Sequence, residues 1–198
     1  METENMEALL EFLGFTTLEG IIWNSVAYIS VLAIVYAVLF EKGRFVVFAI
    51  AGALLALYSH FFFHSVLFTT LQVVVSISAI LQVLKVDAFS QKVLLAFITF
   101  YAFVFLFTQG ELNTALNMVG AFGFLGIAVG IIMLPRVHAF LVMALGGGAL
   151  IVYAFALSAW PFFVLNVFYT MANVWQWSTL KERARWKNGT RKVGAFWD

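Results

Sequence analysis

Apolar residues in this chain come in long, nearly unbroken runs separated by short polar breaks. A stretch such as FVVFAIAGALLAL (45–57) does not alternate between apolar and polar positions, so it reads as a helix and not as a strand of a membrane barrel. Crossing a bilayer takes roughly 17 to 25 mostly apolar residues. The breaks divide the chain into seven runs of that order: about 20–40, 45–63, 65–84, 91–108, 112–134, 137–157 and 160–180. The connections are short, which predicts antiparallel helical hairpins throughout.

Composition turns these runs into membrane spans. The chain of 198 residues is 64% apolar and 11% charged, with mean hydropathy +1.01, more apolar surface than a water-soluble domain could expose. We therefore expect an all-α integral membrane protein with seven transmembrane helices. Cysteine is absent, which excludes disulfides, thiolate metal sites and thiol nucleophiles. The opening METENMEALLEFLGF carries Glu2, Glu4, Glu7 and Glu11 and no basic residue, unlike the positive start of a secretory leader. Residues 1–18 are expected to form a retained interfacial helix.

Charge placement gives an orientation. All 11 basic residues lie at one set of connections: Lys42 and Arg44, then Lys85 and Lys92, then Arg136, then the tail from Lys181 to Lys192. The other side holds the acidic N-terminus, His64, Glu111 and the Ser158–Pro161 turn. Basic residues stay cytoplasmic, so the expectation is a multi-pass protein of the inner (plasma) membrane, N-terminus outside and C-terminus in the cytoplasm.

The chain also resembles itself. Displaced by 94 residues, LQVVVSISAILQV (71–83) falls on LNVFYTMANVWQW (165–177), pairing Gln72 with Asn166, Ser76 with Thr170 and Gln82 with Gln176. The same displacement pairs Gly52 with Gly146 and Phe68 with Phe162, and one of 93 pairs Asn24 with Asn117. This predicts a 3+1+3 layout: a three-helix unit at 19–86, a linker helix at 87–110, a second unit at 111–181 and a basic tail at 182–198. A single linker span leaves both units in the same orientation, as parallel repeats about an axis along the membrane normal.

Polar residues inside the spans point to a site. Gln72 and Ser76 in the third span, and Asn166, Tyr169, Thr170, Asn173 and Trp177 in the seventh, recur at helical spacing, and two such stripes facing each other would line one central cavity, with Asn117 of the fifth span as a further candidate. Hydrogen bonding between helices, worth about 0.6 kcal/mol each on average, is the plainer role for any one of them. The spans hold no Asp, Glu, Lys or Arg from 45 to 84, 93 to 110, 112 to 134 and 137 to 180. Intramembrane carboxylates commonly couple ions to transport, so uncoupled movement of a neutral or singly charged ring compound is expected. With no nucleophile, carboxylate pair or convincing metal cluster in the spans, we expect neither enzymatic activity nor a cofactor or metal; His60 and His64 stand one turn apart without a third ligand.

The layout and the segments LQVVVSISAILQV, LNVFYTMANVWQWSTLKERARW and YSHFFFHSVLFTTLQ resemble the PnuC family of vitamin B3 transporters over roughly residues 17 to 186. The resemblance implies a SWEET-like fold, facilitated diffusion of nicotinamide riboside, and a site between the two units with Gln72 and Asn166 as leading positions. It also implies a homo-oligomer, a trimer. The partners expected are a small-molecule substrate and the lipid bilayer, and no nucleic acid. A SWEET-like sugar carrier and a non-transporting membrane scaffold or accessory subunit are the alternatives.

Overall fold

The computed structural model describes residues 15–40, 43–134 and 136–194, with the backbone alone for 38, 39, 44 and 183–194. The expected interfacial helix at 1–18 falls almost wholly outside the described residues. Helices and connections make up the described chain, with no strand among those residues. In order the helices are α1 Leu18–Leu39, α2 Arg44–Phe61, α3 Val66–Val83 and α4 Ala88–Thr108. They continue with α5 Ala115–Met133, α6 Val137–Ala156 and α7 Trp160–Gly194. Five of them, α1, α3, α4, α5 and α6, are long and apolar enough to cross a bilayer, and the apolar part of α2, Phe45–Phe61, is shorter. The protein is thus a helical, multi-pass membrane protein. The span expected at 160–180 continues without a break to Gly194, a helix of 35 residues, about 52 Å long at 1.5 Å per residue.

Local sequence sets the helix starts. Thr17, Ser65 and Thr114 accept hydrogen bonds from the backbone N–H three residues on, at 3.0, 3.3 and 3.1 Å, supplying acceptors for otherwise orphan donors. Asp87 caps α4 in the same way, accepting from the N–H groups of Phe89 and Ser90. Hydrogen bonding to Ser90, with a smaller contribution from Phe89, holds its carboxyl below the usual range. That cap starts α4 three residues before the expected 91. Pro161 lies in the first turn of α7, where its missing N–H has no partner to lose.

Contacts between the helices run in a ring, α1–α2–α3–α5–α6–α7 and back to α1, while α4 lies outside against α3 and α5. Polarity is inverted relative to a water-soluble protein. Outward faces carry residues such as Leu32, Phe97, Phe100, Phe107, Val152 and Met171, all exposed, whereas Asn24, Ser59, Gln72, Ser78, Asn166 and Asn173 are buried. Lipid solvates the first group and offers the second no partner.

The half of the ring nearer the α2–α3 and α6–α7 turns is filled with aromatic rings. Phe68 and Phe162 stack at 4.1 Å between centroids and 5° between planes. Tyr58 tilts against Phe162 at 5.8 Å and 48°, and Tyr153 against Phe68 at 5.3 Å and 50°. The turns beside this cluster share a backbone state, with His64 and Ser158 both left-handed at φ 54°. Tyr58 Oη donates to Asn24 Oδ1 at 2.9 Å in a fully buried pair joining α1 to α2. Tyr58→Phe is expected to lower stability by about 0.5–1 kcal/mol, the scale of an interhelical bond in a membrane protein, measurable as an earlier transition in SDS titration.

Candidate functional site

The opposite half of the ring, nearer the α1–α2, α3–α4 and α5–α6 connections, encloses a cavity of about 140 Å³ lined by all six ring helices and by no residue of α4. From α3 come Leu71, Gln72, Val75 and Ala79, with Ser78 and Gln82 beyond them; from α7 come Leu165, Asn166, Tyr169 and Asn173. The four α7 residues stand 94 positions after the first four of α3. From α2 come Phe45 and Phe48, and 95 positions later α6 supplies Phe140 and Met143. From α1 come Ile34 and Ala37, and 97 positions later α5 supplies Ile131 and Leu134, with Ile127 as well. A mostly apolar hollow with a few convergent polar groups is the common form of a small-molecule site.

The hydrogen bonds set what this hollow can offer a ligand. Asn166 Nδ2 donates to the carbonyl of Phe162 at 2.7 Å, and Asn173 Nδ2 donates to the carbonyl of Tyr169 at 2.8 Å. Tyr169 Oη donates to Met143 Sδ at 3.2 Å. Gln72 is 4% exposed, and among the described residues its carboxamide makes no hydrogen bond. Its amide atoms are not among the fully enclosed polar atoms, so a residue that lines the cavity and bonds nothing in the protein keeps an amide that can bond a ligand. None of the lining residues is charged.

Comparison with protein-family models, with curated proteins and with solved structures found no match.

Of the eight residues singled out in the sequence, Gln72, Asn166, Tyr169 and Asn173 meet in the cavity. The other four lie elsewhere. Ser76 donates to the Gln72 carbonyl at 2.7 Å and abuts Gly52 of α2. Thr170 abuts Gly147 of α6 in the corresponding way, its hydroxyl buried and without a hydrogen-bond partner among the described residues. Asn117 sits in the first turn of α5, its N–H held by Thr114, on the far side from the cavity. Counted from the helix caps it stands where Gly20 stands in α1, one turn short of Asn24, so the displacement of 93 does not match the registers of α1 and α5. Trp177 lies beyond the lining, its ring under the Lys181 ammonium at 4.5 Å.

Phe45, Phe48, Phe140, Ser78 and the aliphatic residues of α1 and α5 were not singled out from sequence. Single phenylalanines among 23 carry no local signal. The repeat itself could have found Phe45 and Phe140, had the displacement been allowed to change from helix to helix.

Proposed function

We propose that this protein is a facilitative carrier, a uniporter that moves a small vitamin-type nucleoside such as nicotinamide riboside by alternating access. The observation that carries the reading is the central cavity: uncharged, lined by residue pairs in matched register from six helices, with the unpartnered Gln72 amide aimed into it. Seven spans in a 3+1+3 arrangement fit the ring of six helices with α4 outside it. Two three-helix units related by a two-fold axis fit the constant displacements of 97, 95 and 94 along α1/α5, α2/α6 and α3/α7. They also fit the reciprocal contacts Tyr58–Phe162 and Tyr153–Phe68.

A carrier with no carboxylate in its cavity lacks the group that commonly couples solute to proton or sodium, which fits one that equilibrates its substrate. Aromatic rings and carboxamides suit a heteroaromatic nucleoside; the resemblance to the PnuC family supplies nicotinamide riboside as its first candidate. The same Phe45 and Phe140 rings would serve a sugar, which keeps a SWEET-like sugar carrier as the second reading.

With the N-terminus outside, the cavity half faces the cytoplasm and the Phe68–Phe162 stack closes the outer half. The chain has no cysteine, so Ala79→Cys introduces a single thiol. Ala79→Cys is expected to react with an impermeant maleimide from the cytoplasmic side of inverted vesicles and to resist it in intact cells; labelling from outside would reverse the orientation.

Transport is tested with purified protein in proteoliposomes loaded with labelled nicotinamide riboside, thiamine, riboflavin, glucose or sucrose. Nicotinamide riboside should equilibrate across the membrane, and dissipating proton and sodium gradients should leave its rate unchanged. No movement of any of these solutes, with no thermal stabilisation at millimolar concentration, would leave a scaffold as the better reading.

A further inference from the structure

Resting on the carrier reading, we infer that the second three-helix unit is the fixed platform on which the ligand sits and that the first unit is the part that moves. The polar groups of the cavity separate the two. On α7, Asn166 and Asn173 are each held by a hydrogen bond to the backbone carbonyl one turn earlier, at 2.7 and 2.8 Å, and Tyr169 is held by its bond to Met143 of α6. On α3, the side chains of Gln72, Ser78 and Gln82 line the same hollow and make no hydrogen bond among the described residues. A side chain already locked by a partner in the protein keeps its geometry as a ligand arrives, whereas an unheld one must be ordered at that moment.

The backbones behind the two walls differ in the same direction. Helices α5 and α6 touch main chain to main chain: a carbon added at Gly126 would stand 2.8 Å from the Gly146 Cα, and one at Gly146 would stand 2.7 Å from the Gly123 carbonyl oxygen. Further along, a carbon on Gly130 would meet Met143 and stand 3.0 Å from the Ala139 carbonyl oxygen. In turn α6 is tied to α7 by the Tyr169–Met143 bond and by the seating of Thr170 on Gly147. The first unit repeats only the last of these devices, Ser76 on Gly52. Phe48 and Val75, which cannot hydrogen-bond through their side chains, occupy the places of Met143 and Tyr169, and α1 has no glycine from Ile21 to Leu39. It meets α2 through side chains, by the 2.9 Å bond from Tyr58 to Asn24 and by Trp23 beside Phe61 at 6.5 Å. Side chains can change rotamer and let helices slide, but close-packed backbones move together or not at all. The second unit therefore travels as one block with the polar face of α7 fixed in it, and α1, α2 and α3 supply the freedom that alternating access needs.

The chain has no cysteine, so pairs of spin labels can be placed on the purified full-length protein in lipid nanodiscs. Leu32→Cys with Ile50→Cys labels α1 and α2, and Val129→Cys with Leu145→Cys labels the matched places on α5 and α6; all four positions are exposed. Double electron–electron resonance should give the α5–α6 pair one narrow distance that no solute alters. The α1–α2 pair should give a distribution about twice as wide or wider, shifted by a solute that binds. Amide exchange of the unlabelled protein should run about tenfold faster or more in α1 and α2 than in α5 and α6. Equal widths, equal exchange, or any solute-dependent shift of the α5–α6 pair would overturn the inference. Binding of nicotinamide riboside, thiamine, riboflavin, glucose and sucrose is scored separately by thermal shift. If none binds, the carrier reading falls, and the widths and exchange of the ligand-free protein decide alone: a contrast keeps the unequal units, and its absence discards them. If one binds and leaves the α1–α2 pair unchanged, the carrier reading stands and the inference falls.

Discussion

Gly146→Leu should leave no folded protein to isolate. At Gly146 a side-chain carbon would stand 2.7 Å from the Gly123 carbonyl oxygen and 2.7 Å from the Ile127 amide nitrogen, both backbone atoms of α5. From the other side, a carbon on Gly126 would stand 2.8 Å from the Gly146 Cα. Backbone cannot swing aside as the end of a side chain can, so any added carbon must push α5 and α6 apart. Overpacking a close-fitted core costs about 1–3 kcal/mol, the expectation for Gly146→Ala. Leucine adds three more carbons in the same place. Gly148 is the internal control, on the same helix two residues on, with nothing within 4 Å of its would-be side chain. Gly148→Ala is expected to behave as the parent chain. The measurement is the monodisperse fraction by size exclusion in detergent; a Gly146→Leu peak equal to that of Gly148→Ala would mean the two helices do not meet as described. In lipid, where apolar burial does not drive helices together, such close approach is a main source of association.

Gln72→Leu is the second large effect, and its sign on stability sets it apart from an ordinary core mutation. The Gln72 amide is buried with no protein partner among the described residues. An apolar side chain of similar volume breaks no hydrogen bond within the protein and adds apolar contact in a mostly apolar hollow. The melting temperature should hold or rise while transport falls. Asn166→Leu differs, because it removes the 2.7 Å bond to the Phe162 carbonyl and should cost roughly 0.5–1.5 kcal/mol of stability. A ligand hydrogen bond lost at either position corresponds to about 2- to 12-fold in affinity, and losing both should lower nicotinamide riboside uptake by about 4- to 140-fold. Uptake unchanged in Gln72→Leu, or a clear drop in its melting temperature, would assign Gln72 to packing.

Both predictions bear on how much could be read from the chain. Helix existence followed from the length of the apolar runs, and α5 and α7 start near the starts of their runs because caps and turns lie in the sequence itself: Thr114 before α5, Pro161 in α7. The end of α7 did not, since the polar residues after 180 fix where the bilayer ends and not where the helix does. Gln72 and Asn166 stood out because a carboxamide in an apolar run has few reasons to be there. Ser76 and Thr170 share those stripes at a spacing of four, which turns them about 40° around the helix. That angle was enough to set them against Gly52 and Gly147 and out of the cavity.

The sequence by itself determined that this chain is helical and lives in a membrane, because both follow from the composition and period of single segments. It also placed carboxamides at matched depth in two of those segments. Tertiary structure alone decided which faces meet. The order of the ring, the position of α4 outside it, the stacking of Phe68 on Phe162 and the joining of Phe45, Phe140 and Ile34 in one cavity depend on contacts between residues far apart in the chain.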